Sequence, residues 1–185
     1  MIEMTSKKWL LMSAVILLLS AGWIWSTRAA PGSDTSVGNS IPYVGFQAPD
    51  FRLQTTSGDM IALSDYHDQP VLINIWASWC PPCRAEMPAM EQVYKEYQDQ
   101  GFVVLAVNAT NQDNPSLALS FAEENNLTFP ILLDMEGVVS RQYNVQSLPT
   151  SFFIDRFGKI QEIVVGGPMA EALLRIRTEQ LLIGD

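Results

Sequence analysis

The sequence predicts an α/β fold, a central mixed β-sheet flanked by helices, with a β-hairpin ahead of the sheet core. Three observations carry that expectation. From residue 71 onward, apolar strand-like runs alternate with helix-like runs, the pattern of a mostly parallel sheet. Both cysteines stand in Cys80-Pro81-Pro82-Cys83, where an apolar run meets a helix-like one. Two further strand-like runs, 151–154 and 160–165, flank Asp155-Arg156-Phe157-Gly158-Lys159, a hairpin that adds an antiparallel part.

The chain has 185 residues and is 48 % hydrophobic, enough for one domain with a sizeable core and extra segments. Lys7 and Lys8 precede an uncharged run of 17 residues, Trp9 to Trp25, that ends in two interface-favouring tryptophans, Trp23 and Trp25. Residues 1–30 therefore read as a signal-anchor with a membrane helix at about 9–25. A cleaved signal peptide is the alternative, though Arg28 makes Thr27-Arg28-Ala29-Ala30 a poor cleavage site. The two lysines predict a cytoplasmic amino terminus and a domain outside the cytoplasm. Residues 31–43 read as a polar linker and 44–185 as the folded domain. Residues 31–185 carry 8 Lys+Arg against 19 Asp+Glu, a formal charge of −11 (8 − 19). That balance argues against nucleic acid or anionic lipid heads as partners.

Within the domain, 48–53 and 60–63 are short alternating runs around Thr56-Ser57-Gly58-Asp59, a β-hairpin signal. Residues 64–67 suit one helical turn. Residues 71–77 are apolar apart from Asn74, as in a buried central strand. The helix expected at 81–100 opens on proline, should kink at Pro88, and stops at Gly101. A second buried strand is expected at 102–107, and Asn114-Pro115 caps a helix running to about Asn125. A strand at 129–133 and a short helix at 137–143 follow. Gly167-Pro168 is expected to open the last helix, with Leu173, Leu174, Ile176 and Leu181 available for its buried face.

A CxxC delivered by a strand to the start of a helix has a chemical meaning. Free N–H groups and the helix dipole favour negative charge there and lower the pKa of a thiol. The thiolate is the attacking species in disulfide exchange. The second cysteine lies one turn on, within reach to close a ring or release a mixed disulfide. A purely structural disulfide would close a very small loop and stabilise little. A zinc site needs about four ligands, and the only other candidate of the usual kind is His67, read as a surface residue. The pair therefore reads as redox-active, and no metal or other cofactor is expected. Two cysteines outside the cytoplasm, placed as a CxxC, fit a redox catalyst better than a stapled scaffold. The prolines between them supply no N–H to a thiolate, which argues against a strongly oxidising pair. Glu86, three residues after Cys83, falls on the same helix face.

Trp79-Cys80-Pro81-Pro82-Cys83, Pro88, and Leu148-Pro149-Thr150 ahead of a strand together resemble thioredoxin. Gly45-Phe46-Gln47-Ala48-Pro49-Asp50-Phe51, the hairpin and Glu86 are similar to the TlpA/ResA-like membrane-anchored thiol–disulfide oxidoreductases, relatives of the cytochrome c maturation protein CcmG. The resemblance covers about residues 44–183. It implies a thioredoxin-like fold in which the helix and strand between Asn114 and Leu133 are an insertion. It implies that Cys80 attacks and Cys83 resolves, with Trp79, Pro81 and Pro82 shaping the surface around them. Pro149 is expected to be cis, to face the CxxC, and to leave Leu148 backbone groups free for an extended peptide. Glu86 is expected to handle protons, because Asn74 occupies the position of thioredoxin's buried Asp and cannot take one up.

The resemblance further implies a reductase on the outer side of a bacterial cell membrane. Electrons would come from a membrane thiol carrier of the CcdA/DsbD type and pass to a disulfide in an exported protein such as apocytochrome c. General cell-envelope disulfide reduction is the runner-up. A thiol peroxidase of the peroxiredoxin type is a third reading. Peroxiredoxins carry Pro and Thr seven and three residues before the attacking cysteine, where this chain has Ile73 and Ala77. A non-catalytic binding module is a fourth, which the intact CxxC, Glu86 and Pro149 oppose.

Overall fold

The structure, a computed structural model, describes Ile16, Leu18, Leu19 and residues 42–184. The expected membrane helix and linker lie almost wholly outside those residues. Among the described residues no helix is long and apolar enough to cross a membrane. The chain divides into two units, Met1–Gly38 and Asn39–Asp185, and the second holds everything below.

Seven strands form one sheet in the order β2-β1-β5-β4-β3-β6-β7. β1 (Arg52–Thr55) and β2 (Met60–Ala62) pair antiparallel, with Arg52 opposite Ala62. The turn between them is held by the Thr55 hydroxyl, which accepts from the Asp59 N–H at 3.1 Å. A 3-10 turn at Leu63–Tyr66 leads into β3 (Val71–Trp76), every residue of which is buried. β4 (Val103–Asn108) lies parallel to β3 on one side, and β6 (Thr150–Ile154) lies antiparallel on the other. β5 (Ile131–Leu133) extends the parallel part beside β4 and joins it to β1. β5 is shorter than the 129–133 expected. Its neighbour Pro130 has no N–H to give a ladder and contributes only its carbonyl, to Ala106 N–H at 3.1 Å. β6 and β7 (Ile160–Val165) form the closing hairpin, whose turn is organised by Asp155 accepting from the Phe157 and Lys159 N–H groups.

Side-chain alternation sends β3 residues to opposite faces. Leu72 and Trp76 join a core under α1 (Pro81–Tyr97), α2 (Pro115–Glu124) and α4 (Glu171–Ile183), with Met87, Met90, Phe121, Phe153, Leu174 and Leu181. Val71, Ile73 and Ile75 join a second core with Phe51, Val139, Tyr143 and Phe152, under the short α3 (Val138–Gln142). The Tyr143 hydroxyl donates to the Pro49 carbonyl at 2.6 Å and ties the segment before β1 to this face. Burial pushes that phenol well above its ordinary pKa.

α1 continues through Pro88, which sits on its exposed side, to Tyr97. A 3-10 turn then follows, and Gly101 in a left-handed conformation (φ 90°) ends it. Two expectations for the last helix are corrected. It begins at Glu171, because the bend at Gly166-Gly167 and the residues after it spend their backbone on the site described below, where Met169 N–H bonds Glu86. Its buried face is Leu174, Thr178 and Leu181, a step of four and then three residues, whereas Leu173 and Ile176 are exposed.

Candidate active site

Cys80 is the N-cap of α1, with extended backbone (φ −86°, ψ 109°), and Pro81 and Pro82 fill the first helical positions. Prolines suit those positions because the N–H they lack would have no partner inside the helix. The chemical result is that the first turn offers little to a negative charge. Cys83 N–H points at Cys80 Sγ at 3.4 Å, and Arg84 N–H is already bonded to the Cys80 carbonyl at 3.0 Å. Cys80 and Cys83 are joined in a disulfide, which fits a redox-active pair.

The two sulfurs are not equivalent. Cys80 lines a groove of about 370 Å³, and Cys83 lies beneath it, fully buried. Cys80 is itself only 3 % exposed, so it forms part of the groove rather than standing proud of the surface. Trp79, Pro81 and Pro82 form one side of the groove and Val145 to Leu148 the other. Leu148–Pro149 is cis. Pro149's carbonyl accepts from Gly166 N–H at 2.8 Å, and Ser147's accepts from the Thr150 hydroxyl at 2.7 Å. Between them, among the described residues, Leu148 N–H and C=O make no hydrogen bond. An extended peptide could pair with those groups. No charged side chain lines the groove.

Glu86 is one turn beyond Cys83 and wholly buried, not a solvated helix carboxylate. Its Oε1 accepts from Asn74 Nδ2 at 2.8 Å and its Oε2 from Met169 N–H at 3.0 Å. Burial raises its pKa above the ordinary carboxylate value, against the lowering effect of those two hydrogen bonds. Gly167 has to be glycine for packing reasons. A Cβ there would stand 2.6 Å from Glu86 Oε2 and 2.9 Å from Pro149 Cγ. The passage 166–169 thus closes over both the carboxylate and the cis-proline, which is why the last helix starts later than its sequence suggested.

Several organising residues escaped the sequence reading. Asp113 accepts from Ser78 N–H and Ser78 Oγ, each at 2.6 Å, from Asn108 Nδ2 at 2.7 Å, and from Asn114 N–H at 2.8 Å. It pins the loop before the CxxC to the end of β4. Although burial acts to raise its pKa, the hydrogen bonds outweigh that effect and hold it below the ordinary value. Trp79, 56 % exposed, is anchored to the same loop by Nε1 donating to the Gln112 carbonyl at 2.9 Å. Arg84 donates to the Ser78 carbonyl at 3.1 Å and lies over the Phe121 ring. The one sequence signal for Asp113 is its place before the Asn114-Pro115 cap, which says nothing of Ser78. Ser151, opposite Asn74 in the sheet, carried no signal at all. His67 is exposed, and among the described residues no group of three or more His, Cys, Asp or Glu could hold a metal.

A strand-to-helix CxxC that shares its groove with Leu148, the residue before a cis-proline, on a mixed sheet, defines a thiol–disulfide site of the thioredoxin type. Comparison with known proteins agrees. A model of the AhpC/TSA family matches residues 44–163. The thioredoxin-like protein YneN of Bacillus subtilis is 43 % identical over 161 residues, 86 % of this chain and 91 % of that one. The thiol-disulfide oxidoreductase ResA of Geobacillus kaustophilus is 43 % identical over 133 residues, 71 % of this chain and 75 % of that one. A candidate DsbE-type thiol:disulfide interchange protein of Chlorobium tepidum superposes with TM-score 0.70 at 36 % identity, covering 76 % of this chain and 98 % of that one. The chain belongs to the AhpC/TSA family. Within the thioredoxin superfamily it is a TlpA/ResA-like thiol–disulfide oxidoreductase.

Proposed function

We propose that this protein is a reductase, anchored in the bacterial cell membrane, that reduces disulfides of exported proteins on the extracytoplasmic side. The observation that carries the chemistry is the asymmetry of the sulfurs, Cys80 in the groove and Cys83 buried one turn from a buried carboxylate. In the dithiol form, Cys80 thiolate attacks a substrate sulfur. The substrate S–S bond breaks, its departing thiolate takes a proton, and a mixed disulfide forms. Cys83 then passes its proton to Glu86 and attacks Cys80 Sγ. The second substrate thiolate leaves and is protonated, and the Cys80–Cys83 disulfide holds the oxidising equivalents. A membrane thiol carrier of the CcdA/DsbD type returns two electrons and two protons. Leu148 backbone groups and the uncharged groove beside Trp79, Pro81, Pro82 and Pro149 hold the substrate strand. The resemblance of the CxxC, Glu86 and Pro149 motifs to the CcmG-related group suggests apocytochrome c as a substrate, with other cell-envelope disulfides as the wider class.

Trapping tests this reading. In a Cys83→Ala variant, Cys80 should hold the partner as a mixed disulfide that dithiothreitol releases. A Cys83→Ala protein that accumulates no adduct in cells would overturn it. The family match keeps the peroxidase reading in view, but Ile73 and Ala77, both fully buried, offer no hydroxyl to a peroxide. The reduced protein should leave hydrogen peroxide unconsumed.

A further inference from the structure

Asn74 is fully buried, and sheet register sets it directly opposite Ser151. Its amide nitrogen spends one hydrogen on Glu86 Oε1, at 2.8 Å, and the other on Ser151 Oγ, at 2.9 Å. Its carbonyl Oδ1 is buried with no partner. A buried orphan acceptor beside a buried carboxylate calls for a reason, since leaving one unpaired is costly.

We propose that Asn74 and Ser151 form a two-way clamp that accepts Glu86 in either protonation state. The amide as it stands presents its NH₂ to Glu86 Oε1 and to the serine oxygen, the arrangement that suits a charged Glu86. With Glu86 protonated, the amide turns half a rotation about its Cβ–Cγ bond. Oδ1 then accepts both the Glu86 O–H and the Ser151 O–H. A hydroxyl can donate or accept, so Ser151 serves both states, and an amide has both edges to offer. The count is two hydrogen bonds either way, with one amide edge idle in each. An apolar residue at position 74 would serve neither state, and an aspartate would add a second titrating charge. The raised pKa of Glu86 is consistent with both states being visited.

The surroundings leave the clamp as the element that responds. Cys83 approaches from the same helix, Pro149 and Gly167 pack against the site, and Met169 N–H bonds Oε2. Behind Met169 lies the Arg177–Glu162 ion pair, with Arg177 Nη1 3.5 Å from the methionine sulfur. The inference rests on Glu86 as the group that exchanges a proton with Cys83, and it can fail separately from that reading.

The test uses the full chain in detergent micelles, kept in the disulfide form so that neither thiol titrates. Nitrogen-15 asparagine and carbon-13 carboxyl glutamate labels report the Asn74 amide hydrogens and Glu86 from about pH 4 to about pH 9. Both Asn74 amide hydrogens should lose their downfield shift as pH falls, with one midpoint shared with the Glu86 carbon. In Ser151→Ala only one hydrogen has a partner to lose, so only one should move. A wild-type amide in which one hydrogen moves and the serine-bound one stays is rigid, and overturns the clamp. So does a Glu86 carbon that never leaves its charged position, because the second state is then unoccupied. A Glu86→Gln protein that turns over at the wild-type rate, beside an intact two-hydrogen swing, would remove the proton exchange and leave the clamp standing.

Discussion

Glu86 shows how one residue's environment outranks its spacing. Its carboxyl is buried against Asn74, Met169 and Gly167, and burial raises its pKa. A folded pKa above the unfolded one means that the folded protein holds the proton to higher pH. Stability should therefore fall as pH rises from the ordinary carboxylate value through the raised one. Glu86→Gln removes that loss. Its melting temperature should exceed the wild type's above the raised pKa, and the advantage should shrink toward acid. A melting curve that shifts equally at all pH values would refute the assignment. In the reduced protein the same variant should titrate its thiols at lower pH, since a nearby negative charge opposes a thiolate. Its turnover with a protein disulfide should slow on the order of a hundredfold, the scale of general acid–base catalysis. Stopped-flow reduction of a substrate peptide reads that change.

At the scale of elements, the start of α1 decides the redox character. With prolines at its first two positions, a Cys80 thiolate has Cys83 N–H in reach and little else. The couple should lie nearer the roughly −270 mV of thioredoxin than the roughly −120 mV of a strong oxidant. Equilibration with glutathione buffers measures it, and a value above about −180 mV would sink the reductase reading. The loop before α1 depends on a different element. Asp113, at the start of α2, gathers Ser78 and Asn108. Asp113→Ala leaves the Ser78 N–H and Asn108 amide unpaired and should cost about 1–3 kcal/mol, read by urea denaturation. Because the folded pKa of Asp113 is depressed, its contribution is complete above the unfolded carboxylate value and disappears as pH falls through the folded one. The wild-type advantage over Asp113→Ala should shrink in acid, and an unchanged gap would refute the clamp on this loop.

At the scale of the whole molecule, the proposal that the domain is held outside the cytoplasm rests on Lys7 and Lys8 preceding the run from Trp9 to Trp25. Protease added to intact spheroplasts should remove the domain. Protection would reverse the topology, and a soluble mature form would remove only the anchor. How much of this organisation was legible in the sequence depended on whether the signal was local. Alternation of buried runs, the capping of α1 and α2, and the turn at Asp155 to Lys159 are effects of neighbours in the chain, so β3, β4, β6, β7 and the first two helices could be read from the residues. Cys80 and Cys83 were equally plain, because a CxxC at a strand-to-helix junction is a statement about a single turn of consecutive backbone. The tertiary structure alone decided the rest. The start of the last helix moved because Met169 N–H is used on Glu86, 83 residues away. Ser151 became a partner of Asn74 only through strand register, and Asp113 reached Ser78 across 35 residues. Sequence by itself determined where the thiols are and which residues could flank them. Only packing could decide which carboxylate is buried and which is bonded, because the free energy of a charge depends on what surrounds it in space and not on what precedes it in the chain.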